Sequence, residues 1–413
     1  MTDFAESYPV ARGRFFEAVD AFEAGTGRSC ARARHAVGGT EDLTVDVAHF
    51  EPRERRRLLL VTSGVHGIEG YAGNAIQRAL LGGPLARLAG DCGVMLVHAV
   101  NPWGMAHFRR VNPNNVDLNR NFAAAGDALY RTRNPGYRLI AEALAPPGPC
   151  AGALASRARL LGGLSAAALL NGYATLRQAL LAGQYDAPEG LFYGGAGRQR
   201  ETRVFADLFE PCCARYDEIL LIDLHTGYGA RGRVQLLRGV AGPRERIGPA
   251  TAYAGGPNAQ GYSVTGDLVA FCRRTAGRIK PRGVFEGIVV EVGTSGLSMW
   301  SQLHDLGTLV RENQLHPAAH PGDRAGREGV VSRAVPSHQP RVAARGTRRR
   351  ACGDRGPDRA PGLSRRGPAR RRIAGNFREL IDPIGHPPRL YTGVTRLIRG
   401  AAGCHIAPWM GIR

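Results

Sequence analysis

Apolar and polar positions along the chain fall into segments of two periods. Residues 15–22 (FFEAVDAF) repeat with helical spacing, and residues 43–50 (LTVDVAHF) alternate as a half-buried strand does. A sharper unit follows: the apolar run 58–61 (LLLV), a loop from Ser63 to Gly67, and then Ala72, Ala75, Ile76, Ala79 and Leu80 at i, i+3, i+4, i+7 and i+8. This predicts a buried strand, a tight loop and an amphipathic helix. Three more short runs predict buried strands: 94–97 (VMLV), 219–222 (ILLI) and 288–290 (IVV). Helical stretches such as residues 160–181 separate them, so the pattern predicts an α/β domain with a largely parallel or mixed sheet. No repeat of fixed period is apparent.

The pattern changes near residue 316. Residues 301–376 contain no Phe, Trp or Tyr, and from Pro317 onward Arg, Gly, Pro and Ala dominate. Such a segment buries too little apolar surface to offset chain entropy of about 1–2 kcal/mol per residue. The reading is therefore a catalytic domain over residues 1–316 and an irregular tail over residues 317–413. Charge divides at the same place. The whole chain of 413 residues carries 55 Lys+Arg against 35 Asp+Glu, a formal +20, but residues 317–413 hold 20 Arg and 6 acids, leaving +6 for the rest. A basic arm for nucleic acid would need aromatic residues for base stacking or an amphipathic period, and residues 317–376 have neither. An abrupt Arg-Gly-Pro-Ala stretch is also what a GC-rich gene yields when read out of frame, and Lys280 is the sole lysine against 54 Arg. The tail is thus read as disordered or as a frameshift product.

The eight cysteines show no CxxC spacing, so neither a disulfide framework nor a thiolate zinc site is expected. No run of 18 apolar residues occurs, and the first residues lack a basic, then apolar, leader. The expectation is a cytoplasmic protein with no membrane partner.

Each buried run ends in chemically capable residues. After 58–61 come His66 and Glu69; after 94–97 come Asn101, Arg109 and Arg110; after 219–222 come Asp223 and His225; after 288–290 comes Glu291. In open α/β sheets ligands bind outside the strand C-termini, so four such endings can face one site. His66-x-x-Glu69 lets an imidazole and a carboxylate reach the same ion, although a helix start with Glu69 complementing the dipole explains the pair equally well. His225 alone reads as a structural strand-end histidine. Together with His66 and Glu69 it completes the two-His, one-Glu set of hydrolytic zinc sites. Asp223, on the same strand face as His225, is a candidate partner for it. Glu291 is a carboxylate in an apolar strand, costly unless paired with an arginine or used as a general base. Residues 108–122 are rich in amide and guanidinium groups, suited to carboxylates and to a developing oxyanion, or simply to solvent.

These residues form four motifs in order: His-Gly-x-Glu after a strand, Asn-x-x-Gly with Arg-Arg and Asp-Leu-Asn-Arg-Asn-Phe, Asp-Leu-His-Thr-Gly, and a late Glu-x-Gly-Thr. The chain resembles the zinc carboxypeptidase superfamily, and specifically its bacterial branch catalogued as a domain of unknown function. The resemblance runs from about Tyr8 to His316 and includes a middle loop, residues 183–195. It implies a three-layer α/β/α sandwich around a mixed, largely parallel sheet. It makes His66, Glu69 and His225 ligands of one zinc ion, and Glu291 the base that activates water. It assigns Asn119 and Arg120 to a substrate carboxylate and Arg110, or alternatively Arg109, to the scissile carbonyl. The family's mobile tyrosine has no motif match here; Tyr228, Tyr253 and Tyr262 are all in the region. The implied activity is hydrolysis of an amide or peptide bond next to a free carboxylate, on a small peptide or an N-acyl amino acid. A deacylase of the desuccinylase and aspartoacylase type shares the metal set. The competitor from another class is a catalytically inactive, Arg-rich nucleic-acid-binding protein.

Overall fold

The apolar runs that predict buried strands become the centre of a seven-stranded sheet in the computed structural model. It describes residues 4–315 apart from residues 40, 54–55, 84, 88–91, 124–127, 148–151, 228, 239–263 and 297. The strands are β1 (Cys30–Ala36), β2 (Thr44–Phe50), β3 (Arg57–Ser63), β4 (Cys92–His98), β5 (Glu218–Gly227), β6 (Val234–Arg238) and β7 (Val284–Gly293), in the order β1-β2-β4-β3-β5-β7-β6. β4, β3, β5 and β7 run parallel, while β1, β2 and β6 join antiparallel at the two sides. The parallel strands are the ones with near-continuous apolar sequence, as burial on both faces requires.

The helices are α1 (Tyr8–Thr26), α2 (Gly70–Leu81), α3 (Pro102–Ala106), α4 (Pro135–Arg138), α5 (Ala141–Leu144), α6 (Ala153–Asn171), α7 (Tyr173–Ala182), α8 (Arg200–Arg215), α9 (Leu268–Ile279) and α10 (Met299–Gln314). Side-chain alternation along the strands separates two cores. Phe15, Val19 and Phe22 of α1 and Ile76 and Leu80 of α2 pack on Leu59, Val61, Val94, Leu96 and Ile222. On the opposite face, Phe205 and Phe209 of α8 and Phe271 of α9 pack on Leu58, Leu60, Met95, Val97 and Leu221. The result is a three-layer α/β/α sandwich around a mixed, largely parallel sheet. Residues 160–181, which read as one helical stretch, are two helices parted at Gly172, whose φ of 81° breaks the helix. These helices and α10 build a third, separate apolar cluster.

Among the described residues no helix is long and apolar enough to cross a membrane. The Arg-rich tail, its boundary at His316, and Tyr228, Tyr253 and Tyr262 lie outside the described residues.

Candidate metal centre

The loop after β3 is folded by close backbone approach. Gly64 takes φ of 67°. At Gly67 an added Cβ would stand 2.2 Å from the Gly104 carbonyl carbon, so no other residue fits. The amides of Gly67 and Ile68 donate to the carbonyls of Arg110 and Arg109, and Asn101 N donates to Gly64 O, which ties this loop to the segment after β4. His66 and Glu69 therefore leave a rigid turn. Glu69 makes no helix-capping hydrogen bond with its side chain; it points into the sheet end instead.

There it meets β5. His66 Nδ1 lies 2.9 Å from Glu69 Oε1, His225 Nδ1 lies 3.2 Å from Glu69 Oε2, and the two Nδ1 atoms are 3.3 Å apart. All three residues are buried, with one donor atom from each within 4.8 Å of the others. Thr226 N also donates to Glu69 Oε2, at 3.0 Å. Burial opposes charge on Glu69, yet His66 and His225 beside it hold its carboxyl well below the usual carboxylate range.

Each histidine is gripped from behind. The His225 Nε2 meets Asp223 Oδ2 at 2.6 Å, and Thr62 Oγ1 donates to Asp223 Oδ1 at 2.6 Å; Thr62 and Asp223 are register partners on β3 and β5. Burial works against the charged form of His225, but Asp223 and Glu69 outweigh it and raise its pKa well above that of ordinary imidazole. On the other side, His66 Nε2 is 3.3 Å from Asp117 Oδ1 and 2.6 Å from an Arg110 guanidinium nitrogen. One ring nitrogen carries at most one proton, so it either donates to Asp117 or accepts from Arg110. Arg110 also forks onto Asp117 Oδ2 through Nε and Nη2, at 3.2 and 3.0 Å. Burial would raise the Asp117 pKa, but Arg110 and His66 keep it well below the ordinary value.

Glu291 pairs in register with His225 across β5 and β7, so the two side chains leave the same face of the sheet. Its charge, after those of Asp117 and Glu69, helps raise the Arg110 pKa against burial. Arg110 thus sits among the cluster. Arg109 does not: its buried guanidinium donates to the carbonyls of Glu312 (2.7 Å) and Leu315 (3.2 Å) and pairs with the Glu312 carboxylate. Successive residues point in opposite directions here, and Arg109 fastens the end of α10 while Arg110 faces the cluster. Asn119 Oδ1 accepts from Leu268 N at the start of α9. Arg120 is buried against Gly183, donating to Asn119 O and Leu181 O, while its Nε has no acceptor among the described residues.

Two participants carry no role in the sequence reading: Asp117, which joins His66 to Arg110, and Phe192, whose ring lies near Arg110 and Arg120. Asp117 stands two positions before Asn119 in an otherwise amide-rich run, which was its only signal.

The fold and site together define a class: a three-layer α/β/α protein with a buried His-Glu-His cluster at the C-terminal ends of parallel strands. The chain belongs to the family described as "Protein of unknown function (DUF2817)", which matches residues 4–316. No curated protein matches it. Among solved structures it is similar to carboxypeptidase A from Helicoverpa armigera, at 12% identity over 77% of this chain and 74% of that one, with a TM-score of 0.37. Bovine thrombin-activatable fibrinolysis inhibitor is similar at 11% identity over 77% and 98% of the two chains, with a TM-score of 0.38. Succinylglutamate desuccinylase from Chromobacterium violaceum is similar at 13% identity over 75% and 74%, with a TM-score of 0.34. At these scores the likeness says nothing about individual site residues.

Proposed function

We propose that the chain is a zinc-dependent hydrolase that cleaves an amide or peptide bond next to a free carboxylate. The observation that carries this reading is the convergence of donor atoms from His66, Glu69 and His225 in one buried corner. The lengths suit a cation. Ligands held at about 2.0–2.1 Å in tetrahedral geometry lie about 3.3 Å from one another, and the Nδ1 to Nδ1 and Nδ1 to Oε2 separations are 3.3 and 3.2 Å. Two imidazoles and a carboxylate are also the donor set of hydrolytic zinc sites with an open fourth position. When bound there, zinc supplies Lewis acidity that polarises a carbonyl and lowers the pKa of water.

The chain's own residues do the rest. Asp223 keeps the His225 proton on Nε2, leaving the Nδ1 lone pair turned inward. The same tautomer at His66 makes its Nε2–H a donor to Asp117, and Arg110 then lets go of His66 while keeping Asp117. Glu291, beside His225, is the general base: it takes a proton from the attacking water and delivers it to the leaving nitrogen. Arg110 donates to the carbonyl oxygen as that atom gains charge. Arg120 receives the free carboxylate, with the Asn119 amide nitrogen as a second donor. Arg120 is buried and makes no direct ion pair among the described residues; the charges of Asp117 and Asp267 reach it only at longer range, so a ligand carboxylate would be its first close partner.

The test is hydrolysis of a panel of C-terminal dipeptides and N-acyl amino acids by the zinc-loaded chain. Turnover is expected for one class, which also separates peptidase from deacylase. Glu291→Gln should lower it by at least about 100-fold with metal retained. A zinc-loaded chain that turns over neither class contradicts the reading.

A further inference from the structure

Helix α6 is apolar on every side. Across its 19 residues only Arg157 and Arg159 carry charge. Its inner side belongs to the third apolar cluster through Leu160 and Ala167. Its outer side is open: ten positions between 154 and 170 are exposed, and only Arg159 and Ser165 among them are polar. Leu154, Leu169 and Leu170 are 83%, 86% and 81% exposed, and Tyr173, the first residue of α7, is 71% exposed. A single exposed leucine needs no explanation, but a helix that lacks a polar face is suited to burial on both sides.

The two glycines at mid-helix differ in what they do within the chain. A Cβ at Gly163 would stand 2.7 Å from the Ala143 Cβ, so packing against α5 requires that glycine. At Gly162 nothing lies within 4 Å of where a Cβ would stand. Glycine inside a helix costs about 0.5–1 kcal/mol relative to alanine, and at Gly162 no contact within the chain offsets that cost. At the centre of an outward apolar face it lets another helix approach closely. The face is complementary to itself. In an antiparallel crossing with the two-fold axis at Gly162, positions equally far on either side of it meet, so Leu169 falls on Ala155, Ala158 on Ala166, and Leu154 on Leu170. Arg159 meets Ser165, whose hydroxyl is an acceptor, and the other paired positions are uncharged.

We propose that α6 is the centre of a two-fold interface between two copies of this chain. The other occupant to weigh is the chain's own tail. Residues 317–413 would bring 20 Arg and 6 acids to a helix whose charges are both basic, and residues 317–376 have no aromatic residue or amphipathic period with which to cover it. A stable interface uses about 20–30 residues a side, more than α6 and Tyr173 supply, so the dimer is weak and exchanges with monomer at micromolar concentration. None of the metal-cluster residues takes part, so the interface stands whether or not the chain is a hydrolase.

Sedimentation equilibrium of the full-length chain from about 0.5 to 100 μM tests this, and the chain should pass from monomer to dimer across that range. Leu169→Glu brings a charge into the interface and Gly162→Leu holds the helices apart, so each should weaken the dimer by about tenfold or more. Gly162→Leu favours the helix and meets open space within the chain, so it decides the matter if Leu169→Glu fails to fold. Phe4→Glu, at an exposed apolar residue ahead of α1, should leave the equilibrium unchanged. A chain that stays monomeric throughout overturns the proposal and leaves the face to the tail or another partner. A dimer that neither α6 variant weakens, or that Phe4→Glu weakens equally, overturns it as well.

Discussion

The Nδ1 atoms of His66 and His225 face each other at 3.3 Å across the ends of two parallel strands, although 159 positions separate them in the chain. Two imidazoles hold that arrangement only if their outer nitrogens are occupied. For His225 the occupant is Asp223, itself anchored by Thr62.

Asp223→Asn should therefore weaken zinc binding by about 10–100-fold, the usual cost of losing a carboxylate behind a ligating histidine. Thr62→Val should weaken it less, since it loosens the carboxylate without removing it. Competition titration against a zinc chelator measures both. Equal affinity in wild type and Asp223→Asn would mean that the Asp223 contact does not orient His225.

The neighbouring arginines should separate cleanly. Arg109→Ala strands the buried Glu312 carboxyl, whose pKa burial already raises, and should cost about 3 kcal/mol in denaturant unfolding. Zinc content should not change. Arg110→Ala should retain zinc and lose about 100-fold or more in turnover. Interchanged phenotypes would reverse the assignment.

Two buried titratable groups give a pH signature outside the cluster. Asp46 and His98 are register partners on β2 and β4, both fully buried; Asp46 Oδ2 and both His98 ring nitrogens have no partner among the described residues. Burial pushes Asp46 up to about 6 and His98 down to about 3. A carboxyl raised on folding contributes stability that is present below its unfolded pKa near 3.8 and lost as pH rises through about 6. A histidine depressed on folding contributes stability present above about 6.5 and lost as pH falls toward about 3. The two slopes oppose each other between about pH 4 and 6. Asp46→Asn removes the first. At pH 8 it should be more stable by about 1–3 kcal/mol, and its stability should fall with acidification below pH 6.5, where wild type stays flatter. Parallel curves from thermal unfolding across this range would refute the raised Asp46 carboxyl.

How legible this was depends on burial and direction. Four of the runs that predict strands, residues 58–61, 94–97, 219–222 and 288–290, read as apolar blocks because they lie at the centre of the sheet, whereas residues 43–50 alternate in sequence as a half-buried strand does, yet β2 is buried on both faces. The sheet's two edges escaped: β1 alternates alanine with arginine and histidine, and β6 is the short Val-Gln-Leu-Leu-Arg, neither of which stands out from loop sequence. That His66, Glu69 and His225 converge was legible because their motifs sit at strand ends. Whether Arg109 or Arg110 faces the cluster was not, since that depends on how one loop turns.

The central claim is that His66, Glu69 and His225 hold one catalytic metal ion. Zinc quantitation on the purified full-length chain tests it most directly, alongside Glu291→Gln, His66→Ala and His225→Ala. The account predicts about one zinc per chain for wild type and Glu291→Gln, and a small fraction of that for the two histidine variants. Full occupancy in either histidine variant would contradict it.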